Sequence, residues 1–443
     1  MQKLKKPVES STTSTLSNLF SSNTIVVLSM LTGIVLNRSL GPELKGEYAS
    51  LRLLVSFFAP LLMLGYTGGV LYYAIRKKLD IEAFYFTGLI TMFIAGLIAT
   101  FVLYFAISLG LFGEILQNMD REILWIILIL TPFIFLNAYL ERVLYSFKLF
   151  RPSNKRNVIA ALIILVGSSL LWYFEILSLF NAVLVLGLSL VSNFILNIRF
   201  ISQLFSPTKK IDCKNIFFPW KYGIQSFIEQ IISKSNDKFD LIILGFIISP
   251  ASFGIYTAGV AVASLVSGIP SSYTNVFYTQ IATRDLDSAI LLFEKAIRIT
   301  LYLTTAIGLV LVLLSKYLIL FLYGNAFAGA AVVVLFYLPG LVFQVSARLS
   351  IKFYAAQGKP LKNSLVYMVA LLISSPFYFV LIPPLGIKGA AISSSVGYFV
   401  AFVFSIYQLK RDYHFSLRNI LVLQKVDFLE ISTKLKSLFL QLK

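Results

Sequence analysis

Long apolar runs recur along the whole chain, and they limit its fold more than any other feature. Each run has roughly the 20 residues that an α-helix needs to cross the hydrocarbon core of a bilayer. Lipid offers no partner for backbone N–H and C=O groups, so runs this long and this uniformly apolar indicate helices. The sequence therefore predicts an all-α, polytopic membrane protein. Its twelve predicted spans have approximate limits of 20–37, 48–74, 83–109, 123–147, 157–174, 180–200, 218–248, 254–281, 290–314, 328–350, 362–382 and 386–408.

Composition supports a membrane protein and excludes several kinds of site. Of 443 residues, 58% are hydrophobic and 13% are charged, whereas a soluble domain carries about 25% charged residues. The one cysteine, Cys213, allows no internal disulfide. The one histidine, His414, lies in the C-terminal tail, so neither a histidine metal site nor a histidine proton relay is expected. The sequence has no Walker motif, catalytic triad or metal-ligand cluster, and we expect neither enzymatic activity nor a bound metal.

Basic residues are unevenly divided between the two sides of the predicted membrane. The N-terminus, the even-numbered connections and the tail hold 28 Lys and Arg residues, while the odd-numbered connections hold 5. The positive-inside rule therefore places both termini in the cytoplasm, with the spans in the cell membrane. The first apolar run lacks a small-residue cleavage pattern and is predicted to be a retained span. Orientation explains the net charge of +18, and no nucleic-acid partner is expected.

A repeat divides the chain into two similar halves. LGPELKGEYAS at Leu40–Ser50 and ISPASFGIYTA at Ile248–Ala258 share a proline, a glycine and a tyrosine at an offset of 208 residues. The same offset relates FKLFRPSNK to AAQGKPLKN, and Asn181 to Gly389. These matches predict two six-helix lobes that enter the membrane from the same side, with substrate bound between them. The predicted divisions are a cytoplasmic N-terminal segment (1–19), an N-lobe (20–208), a C-lobe (209–408) and a cytoplasmic, basic amphipathic tail (409–443).

Each copy of the proline–glycine–tyrosine motif is predicted to form a hairpin turn on the outer face. The proline would end one helix, and the glycine would supply the tight turn. The tyrosine would begin the next span at the membrane interface, where aromatic rings are favoured.

Several segments are similar to those of a known family. They are LNRSLGPELKGEYAS, LGYTGGVLYYAIRKK, LYGNAFAGAAVVVLFYLPG, FYAAQGKP and IPPLGIKGAAISSSVGY, in this order within residues 20–408. Together they resemble the polysaccharide/oligosaccharide flippases, the Wzx-type branch of the MOP (MATE-like) transporter superfamily. The resemblance implies twelve helices in two lobes around a central cavity, and a lipid-linked sugar carried from the cytoplasmic to the outer leaflet. Related peptidoglycan-precursor flippases usually have two more helices than this sequence predicts.

The seventh predicted span carries an unusual number of polar residues. Helical spacing places Gln225, Glu229, Ser233, Asn236 and Asp240 within an arc of about 80°. Ionised groups at this depth cost a few kcal/mol each, so they normally face water or each other. We expect this face to line the central cavity, where Lys234 and Lys238 would meet a phosphate-bearing headgroup. Candidates for binding a coupling Na⁺ or proton are Glu229, Asp237 and Asp240.

Two alternatives to a cavity-lining face stay open. Lys234 and Asp237 are three residues apart, and such neighbours can neutralise each other without contacting substrate. The seventh span could also begin later than predicted, which would place the charges in a loop.

Five further charged residues are candidates for function. Arg52 lies one turn into the second span, and the resemblance makes it a cavity cation because basic residues in the first two helices are typical of these flippases. Its alternative, shared by Arg38 at the end of the first span, is an arginine that snorkels to the interface. Arg142, with Glu141 beside it, and Arg348 lie near the cytoplasmic ends of spans 4 and 10. They are candidates for snorkelling, for pairing between helices, or for a cytoplasmic gate.

The resemblance thus implies a flippase for a polyprenyl-diphosphate-linked oligosaccharide, which would serve cell-surface polysaccharide synthesis by alternating access through a cationic cavity. Such a cavity would replace the solvation that the diphosphate loses in crossing the membrane. Flipping breaks no bond, so no cofactor is expected beyond a coupling Na⁺ or H⁺. The expected partners are the lipid-linked sugar, membrane lipids, and a polysaccharide polymerase or glycosyltransferases, and the chain is expected to work as a monomer.

Two other functions are kept as alternatives. A cation-coupled exporter of drugs or metabolites from the same superfamily would favour an acidic cavity, but the spans hold five basic residues against four acidic ones. A non-transporting scaffold or polymerase partner would need no continuous polar cavity. The tail is expected to lie on the cytoplasmic membrane surface, or else to be disordered or bind a partner.

Overall fold

A computed structural model describes residues 11–76, 79–147, 149–204, 216–268, 277–278, 280–281, 284–359 and 361–422. Within these ranges it describes all side chains except those of residues 11–19, 22, 114, 225, 226 and 229. The described residues are almost entirely helical and contain no strand, which confirms the predicted all-α class.

Thirteen α-helices of five or more residues, all in the described part of the chain, are labelled here in chain order. They are α1 (Ser11–Leu53), α2 (Tyr66–Ile75), α3 (Ile81–Ser108), α4 (Arg121–Ser146), α5 (Phe150–Tyr173), α6 (Leu179–Ser202), α7 (Phe218–Ile247), α8 (Pro250–Ala263), α9 (Leu286–Tyr323), α10 (Ala330–Ala356), α11 (Leu361–Leu385), α12 (Ile387–Tyr413) and α13 (Leu417–Leu421). Labels α3 to α12 therefore coincide with the numbers of the predicted spans.

Acidic side chains cap the N-terminal ends of two of these helices, α3 and α9. Asp80 accepts a hydrogen bond from the backbone N–H of Glu82 (3.0 Å) at the start of α3. Asp285 accepts from the Ser288 N–H (3.1 Å) and hydroxyl (2.6 Å) at the start of α9. Such caps satisfy N–H groups that have no partner inside the helix. The hydrogen bonds from Ser288 also hold the pKa of the exposed Asp285 carboxyl below its ordinary value.

Ten helical segments of the described chain are long and apolar enough to cross a membrane, where twelve spans were predicted. One of the ten, Asn23–Leu61, contains most of the first predicted span and about half of the second. Gly41 breaks this segment with a φ of 69° and a ψ of 178°, a conformation that glycine adopts without strain. The other difference is α7, which has 30 residues but carries too many charged residues to count as apolar.

Contacts divide the chain into two compact units. The first holds residues up to Ala258 together with Ile319–Ala330, and the second holds Gly259–Leu318 and the residues from Ala331 onward. Within the first unit α1 packs against α5, α4 packs against α3 and α6, α5 packs against α6, and α2 packs against α7. Within the second unit α11 packs against α12. The lobes predicted from the sequence were divided by the internal repeat, whereas these units are divided by contacts. The predicted lobe boundaries therefore stay a prediction.

The beginning of the tail packs onto the second unit. The Glu294 carboxylate of α9 accepts from the Ser416 N–H (2.9 Å) and from the Asn419 side-chain amide (2.8 Å). Phe415 and Ile420 are buried in an apolar core that contains Phe293. The first residues of the predicted membrane-surface tail are therefore held by protein contacts. Residues 423–443 lie outside the described part of the chain.

Candidate functional site

The charged residues of the predicted seventh span all lie on one continuous helix, α7. The alternative that places them in a loop is therefore wrong. Lys234 and Asp237 are exposed, Lys238 is half-buried, and Asn236 and Asp240 are buried. Glu229 lies on the same helix, but its side chain and that of Gln225 are outside the described set.

Asp240 is a buried carboxylate with internal hydrogen-bond donors. The hydroxyl of Tyr256 on α8 donates to it at 2.6 Å, and the N–H of Leu241 donates at 2.8 Å. Asn236, one turn earlier, is buried too, and its amide nitrogen has no partner in the described part of the chain. Asp240 thus joins α7 to α8, and a role in binding a coupling ion stays a prediction. The described residues contain no group of three or more side chains suited to a metal ion.

Removing the Tyr256 hydroxyl should destabilise the protein. In a Tyr256→Phe variant the buried Asp240 carboxylate loses a short hydrogen bond, and the free energy of unfolding should fall by about 2 kcal/mol. The matched control is Tyr173→Phe, because Tyr173 is 80% exposed. A reversible unfolding titration of both variants would measure the difference. Equal stabilities would show that the bond to Asp240 contributes nothing.

The tyrosines of the repeated motif are buried inside the protein, and their predicted depth at the membrane interface stays a prediction. Tyr48 is 1% exposed and Tyr256 is 0% exposed. Their rings pack between helices, and the hydroxyl of Tyr256 donates a hydrogen bond to the buried carboxylate of Asp240.

The two copies of the repeated motif pack against each other. A Cβ atom on Gly46 would lie 1.8 Å from the carbonyl oxygen of Pro250, and a Cβ on Gly254 would lie 2.0 Å from that of Pro42. Both glycines are helical, so the predicted turn role is wrong, and the positive φ belongs to Gly41. Small residues allow helix backbones to approach this closely in membranes. The contact is reciprocal, as in a two-fold symmetric interface.

A second close contact joins α2 to the beginning of α7. A Cβ on Gly65 would lie 2.1 Å from the carbonyl oxygen of Gly223, and one on Gly69 would lie 1.9 Å from that of Pro219. The Tyr72 and Tyr222 rings stack at 3.6 Å beside these glycines. Sequence reasoning missed this contact, although the two glycines four residues apart in LGYTGG are a signal for close helix packing.

Glu141, a candidate for the cytoplasmic gate, pairs with an arginine of the neighbouring helix. Arg156 on α5 donates to the Glu141 carboxylate at 2.7 Å and to the Asn197 side-chain oxygen on α6 at 2.8 Å. The Ser153 hydroxyl donates to the same carboxylate at 3.1 Å. Sequence reasoning had counted Arg156 among the loop cations, and no local pattern marks it as a buried partner. The structure thus shows the pairing between helices that was one alternative for Glu141.

The two other gate candidates lie in different units. Arg142 is half-buried on α4, with its guanidinium 5.7 Å from the centre of the Tyr145 ring. Arg348 is half-buried on α10 of the second unit. A gating role for either residue stays a prediction.

The predicted cavity cations have distinct surroundings. Arg38 donates to the carbonyl oxygens of Phe321 and Leu322, the latter at 2.9 Å, and so caps the C-terminal end of α9. Arg52 is exposed on α1. Lys234 is exposed on α7. Substrate contact by any of the four predicted cations stays a prediction.

Comparison with known proteins identifies the fold. A family model described as "Polysaccharide biosynthesis protein" matches residues 13–278, more than half of the chain. None of the curated proteins has a matching sequence.

Three solved structures illustrate the similarity. The lipid II flippase MurJ in an inward closed conformation is 17% identical, with 93% of this chain and 89% of that one covered and a TM-score of 0.69. An inward-facing MATE multidrug transporter of the MOP superfamily is 17% identical, with 87% and 95% covered and a TM-score of 0.68. A MOP transporter from Pyrococcus furiosus Vc1 (DSM3638), titled for the reverse polarity of its binding pocket, is 14% identical, with 89% and 94% covered and a TM-score of 0.61. These likenesses confirm the predicted MOP fold.

Proposed function

Because the chain belongs to the polysaccharide biosynthesis protein family, we propose that it flips a polyprenyl-diphosphate-linked oligosaccharide from the cytoplasmic to the outer leaflet of the cell membrane. Both termini lie in the cytoplasm in this proposal, because the basic residues of the chain are concentrated on that side. The transport follows alternating access, and the flipped sugar supplies cell-surface polysaccharide synthesis.

The observation that carries the proposal is a pair of exposed cations on helices that are predicted to span the membrane. Lys234, near the middle of α7, and Arg52 on α1 are exposed, and neither has a carboxylate partner among the described side chains. An unpaired cation within a span is costly, and an anionic headgroup would supply the missing charge. Two acids of the same unit have partners inside the protein, Glu141 in Arg156 and Asp240 in Tyr256. This arrangement suits a diphosphate better than it suits the cationic drug of the alternative, a cation-coupled exporter.

The chemistry of flipping then requires binding alone. The diphosphate exchanges water for charge-assisted hydrogen bonds from Lys and Arg, and the polyprenyl tail stays in the bilayer. Since no bond is broken, no catalytic group is needed. Na⁺ or H⁺ coupling, if it operates, would use the acids of α7, which are Glu229, Asp237 and Asp240. A polymerase or glycosyltransferase partner would act on either side of the transport step, with the flippase itself a monomer.

Loss of either cation should slow transport. With a fluorescent polyprenyl-diphosphate oligosaccharide in proteoliposomes, Lys234→Gln and Arg52→Gln should each reduce the flipping rate roughly tenfold, the loss of about one charge-assisted contact. The matched control is Lys155→Gln, because Lys155 is exposed on α5. Wild-type rates in both variants would remove these cations from the substrate path. Export of a cationic dye by a wild-type protein that flips no lipid-linked sugar would favour the exporter instead.

A further inference from the structure

The last described helix, α13, is hydrogen-bonded to α9 at both of its ends. At the start of α13, the Glu294 carboxylate accepts from the Ser416 N–H (2.9 Å) and from the Asn419 side-chain amide (2.8 Å). At its end, the Tyr302 hydroxyl donates to the carbonyl oxygen of Leu421 at 2.8 Å. These bonds to successive turns of α9 fix which side of α13 faces the protein.

The depth of α13 in the membrane follows from where it meets α9. The stretch of α9 from Tyr302 to Tyr323 rises about 32 Å, close to the roughly 30 Å of a hydrocarbon core. Glu294 and Arg298 lie in the turns before this stretch, and Lys316 is the one charged residue within it. By the predicted orientation α9 begins on the cytoplasmic side. Because α13 contacts α9 between Glu294 and Tyr302, it lies at the level of the cytoplasmic headgroups.

The side of α13 that faces away from α9 is apolar and basic. Helical spacing places Leu417, Arg418 and Leu421 within an arc of about 100°, and the buried Ile420 falls outside this arc. Leu417 is 39% exposed, and Leu421 and Val422 are 48% and 50% exposed. Large apolar side chains beside a basic residue, at the level of the headgroups, are typical of a helix that lies in the membrane interface.

The charges of the second unit around α13 suit an anionic surface. Lys410 and Arg418 are exposed, and Asp412 between them is paired with Lys362 at 3.1 Å and with Arg411 at 3.3 Å. Further exposed acids of this unit lie at the beginning of α9, and they are Asp285 and Asp287. Both are about 22 Å or more along the α9 axis from its contact with the end of α13. Basic charge therefore dominates beside the exposed face of α13.

We propose that α13 docks on the anionic phospholipid headgroups of the cytoplasmic leaflet through Leu417, Arg418 and Leu421. The two leucines enter the interface, and Arg418 pairs with lipid phosphate. Because Glu294 and Tyr302 hold α13 from the other side, the docked helix ties the cytoplasmic end of α9 to the leaflet. This inference goes beyond the proposed function, since it requires the predicted orientation but no transported sugar.

Access of lipid to α13 tests the docking surface. In a Cys213→Ser background, Leu417→Cys would carry a fluorophore, and the purified full-length protein would be placed in lipid nanodiscs with a trace of nitroxide-labelled lipid. One surface arginine attracts anionic lipid by about 1 kcal/mol, which is roughly fivefold in local concentration. Nitroxide-labelled phosphatidylglycerol should therefore quench the fluorophore roughly fivefold more strongly than nitroxide-labelled phosphatidylcholine. Adding Arg418→Gln should bring this ratio close to one.

Leu286→Cys in the same background is the matched control. Leu286 is 44% exposed and lies about 24 Å before Tyr302 along α9, so its fluorophore should be quenched by neither lipid. If Leu417→Cys does not fold, Leu421→Cys takes its place, because Leu421 lies on the same face.

Two outcomes would overturn the docking surface. Equal quenching at Leu417 by both lipids would remove the preference for anionic headgroups. Quenching there by iodide in the water, and by neither lipid, would place this face of α13 outside the interface and leave it to a protein partner. The measurement involves no transport, so its failure leaves the proposed flippase standing, and a protein that flips no sugar can still show the docked helix.

Discussion

A Gly46→Ala variant should lose most of its flipping activity and about 2 kcal/mol of its free energy of unfolding. The added Cβ would lie 1.8 Å from the carbonyl oxygen of Pro250 and 3.1 Å from the N atom of Gly254. Both neighbours are backbone atoms, so no side-chain rotation can relieve the clash, and overpacking of this kind costs about 1–3 kcal/mol. Relief requires that the two copies of the repeated motif move apart.

Transport by the Gly46→Ala variant should slow because the contact between the two motif copies lies at the predicted outer end of the molecule. In the alternating-access proposal the outer end opens to release the sugar and then closes again. Alanine at Gly46 disfavours the closed arrangement, so the flipping rate should fall roughly tenfold if closure becomes about 1.4 kcal/mol less favourable. Flipping in proteoliposomes and reversible unfolding together measure the two effects.

Gly33 offers a matched control on the same helix. A Cβ there would meet nothing within 4 Å, so Gly33→Ala should keep wild-type flipping and gain up to about 1 kcal/mol from helix propensity. Gly254→Ala should repeat the effect of Gly46→Ala. The double variant should lose less stability than the two single losses added together, because the first alanine has already separated the motifs. Additive losses, or a stable and active Gly46→Ala variant, would contradict the closed contact.

The repeat was visible in the sequence, but the use of its residues was not. The constant offset of 208 residues located the motif, and the lengths of the apolar runs located the helices. The contact of Gly46 with Pro250 joins residues 204 apart in sequence, and no local pattern records such a partner. The same holds for Tyr48 and Tyr256, whose ring type predicts the interface until tertiary packing encloses them.

The candidate site, like the repeat, was predictable from the sequence in its position but not in its contacts. Helical periodicity placed the charges of α7 on one helix, as the structure has them. It could not tell that Asp240 would be engaged by the motif tyrosine, or that Arg38 would cap α9. Arg156 falls in the predicted connection between spans 4 and 5, yet it is 4% exposed. Burial and pairing depend on neighbouring helices, and a single sequence carries no record of which helices those are.

Arg156 gives the largest expected effect on stability. Its guanidinium contacts the Glu141 carboxylate at 2.7 Å and the Asn197 oxygen at 2.8 Å. An Arg156→Leu variant leaves both oxygens without this donor and leaves a carboxylate uncompensated between helices. Breaking a buried pair in this way costs about 3–5 kcal/mol, and because the Glu141 side chain is 25% exposed we expect the lower end of that range.

A double-mutant comparison separates pairing from gating. Arg156→Met combined with Glu141→Leu removes both charges and keeps similar volumes, so it should recover most of the stability lost in Arg156→Leu. The control is Arg151→Leu, because Arg151 is exposed on the same helix. If Glu141 only holds α4 to α5, the recovered double variant should also flip lipid-linked sugar at a rate close to that of the wild type. A stable double variant without flipping would instead assign Glu141 to the cytoplasmic gate, because transport would then need the charge itself.

The single variant has its own contrary outcome. A loss of unfolding free energy below about 1 kcal/mol in Arg156→Leu, the value of an exposed pair, would show that the hydrogen bonds of Arg156 do not stabilise the fold as a buried ion pair does.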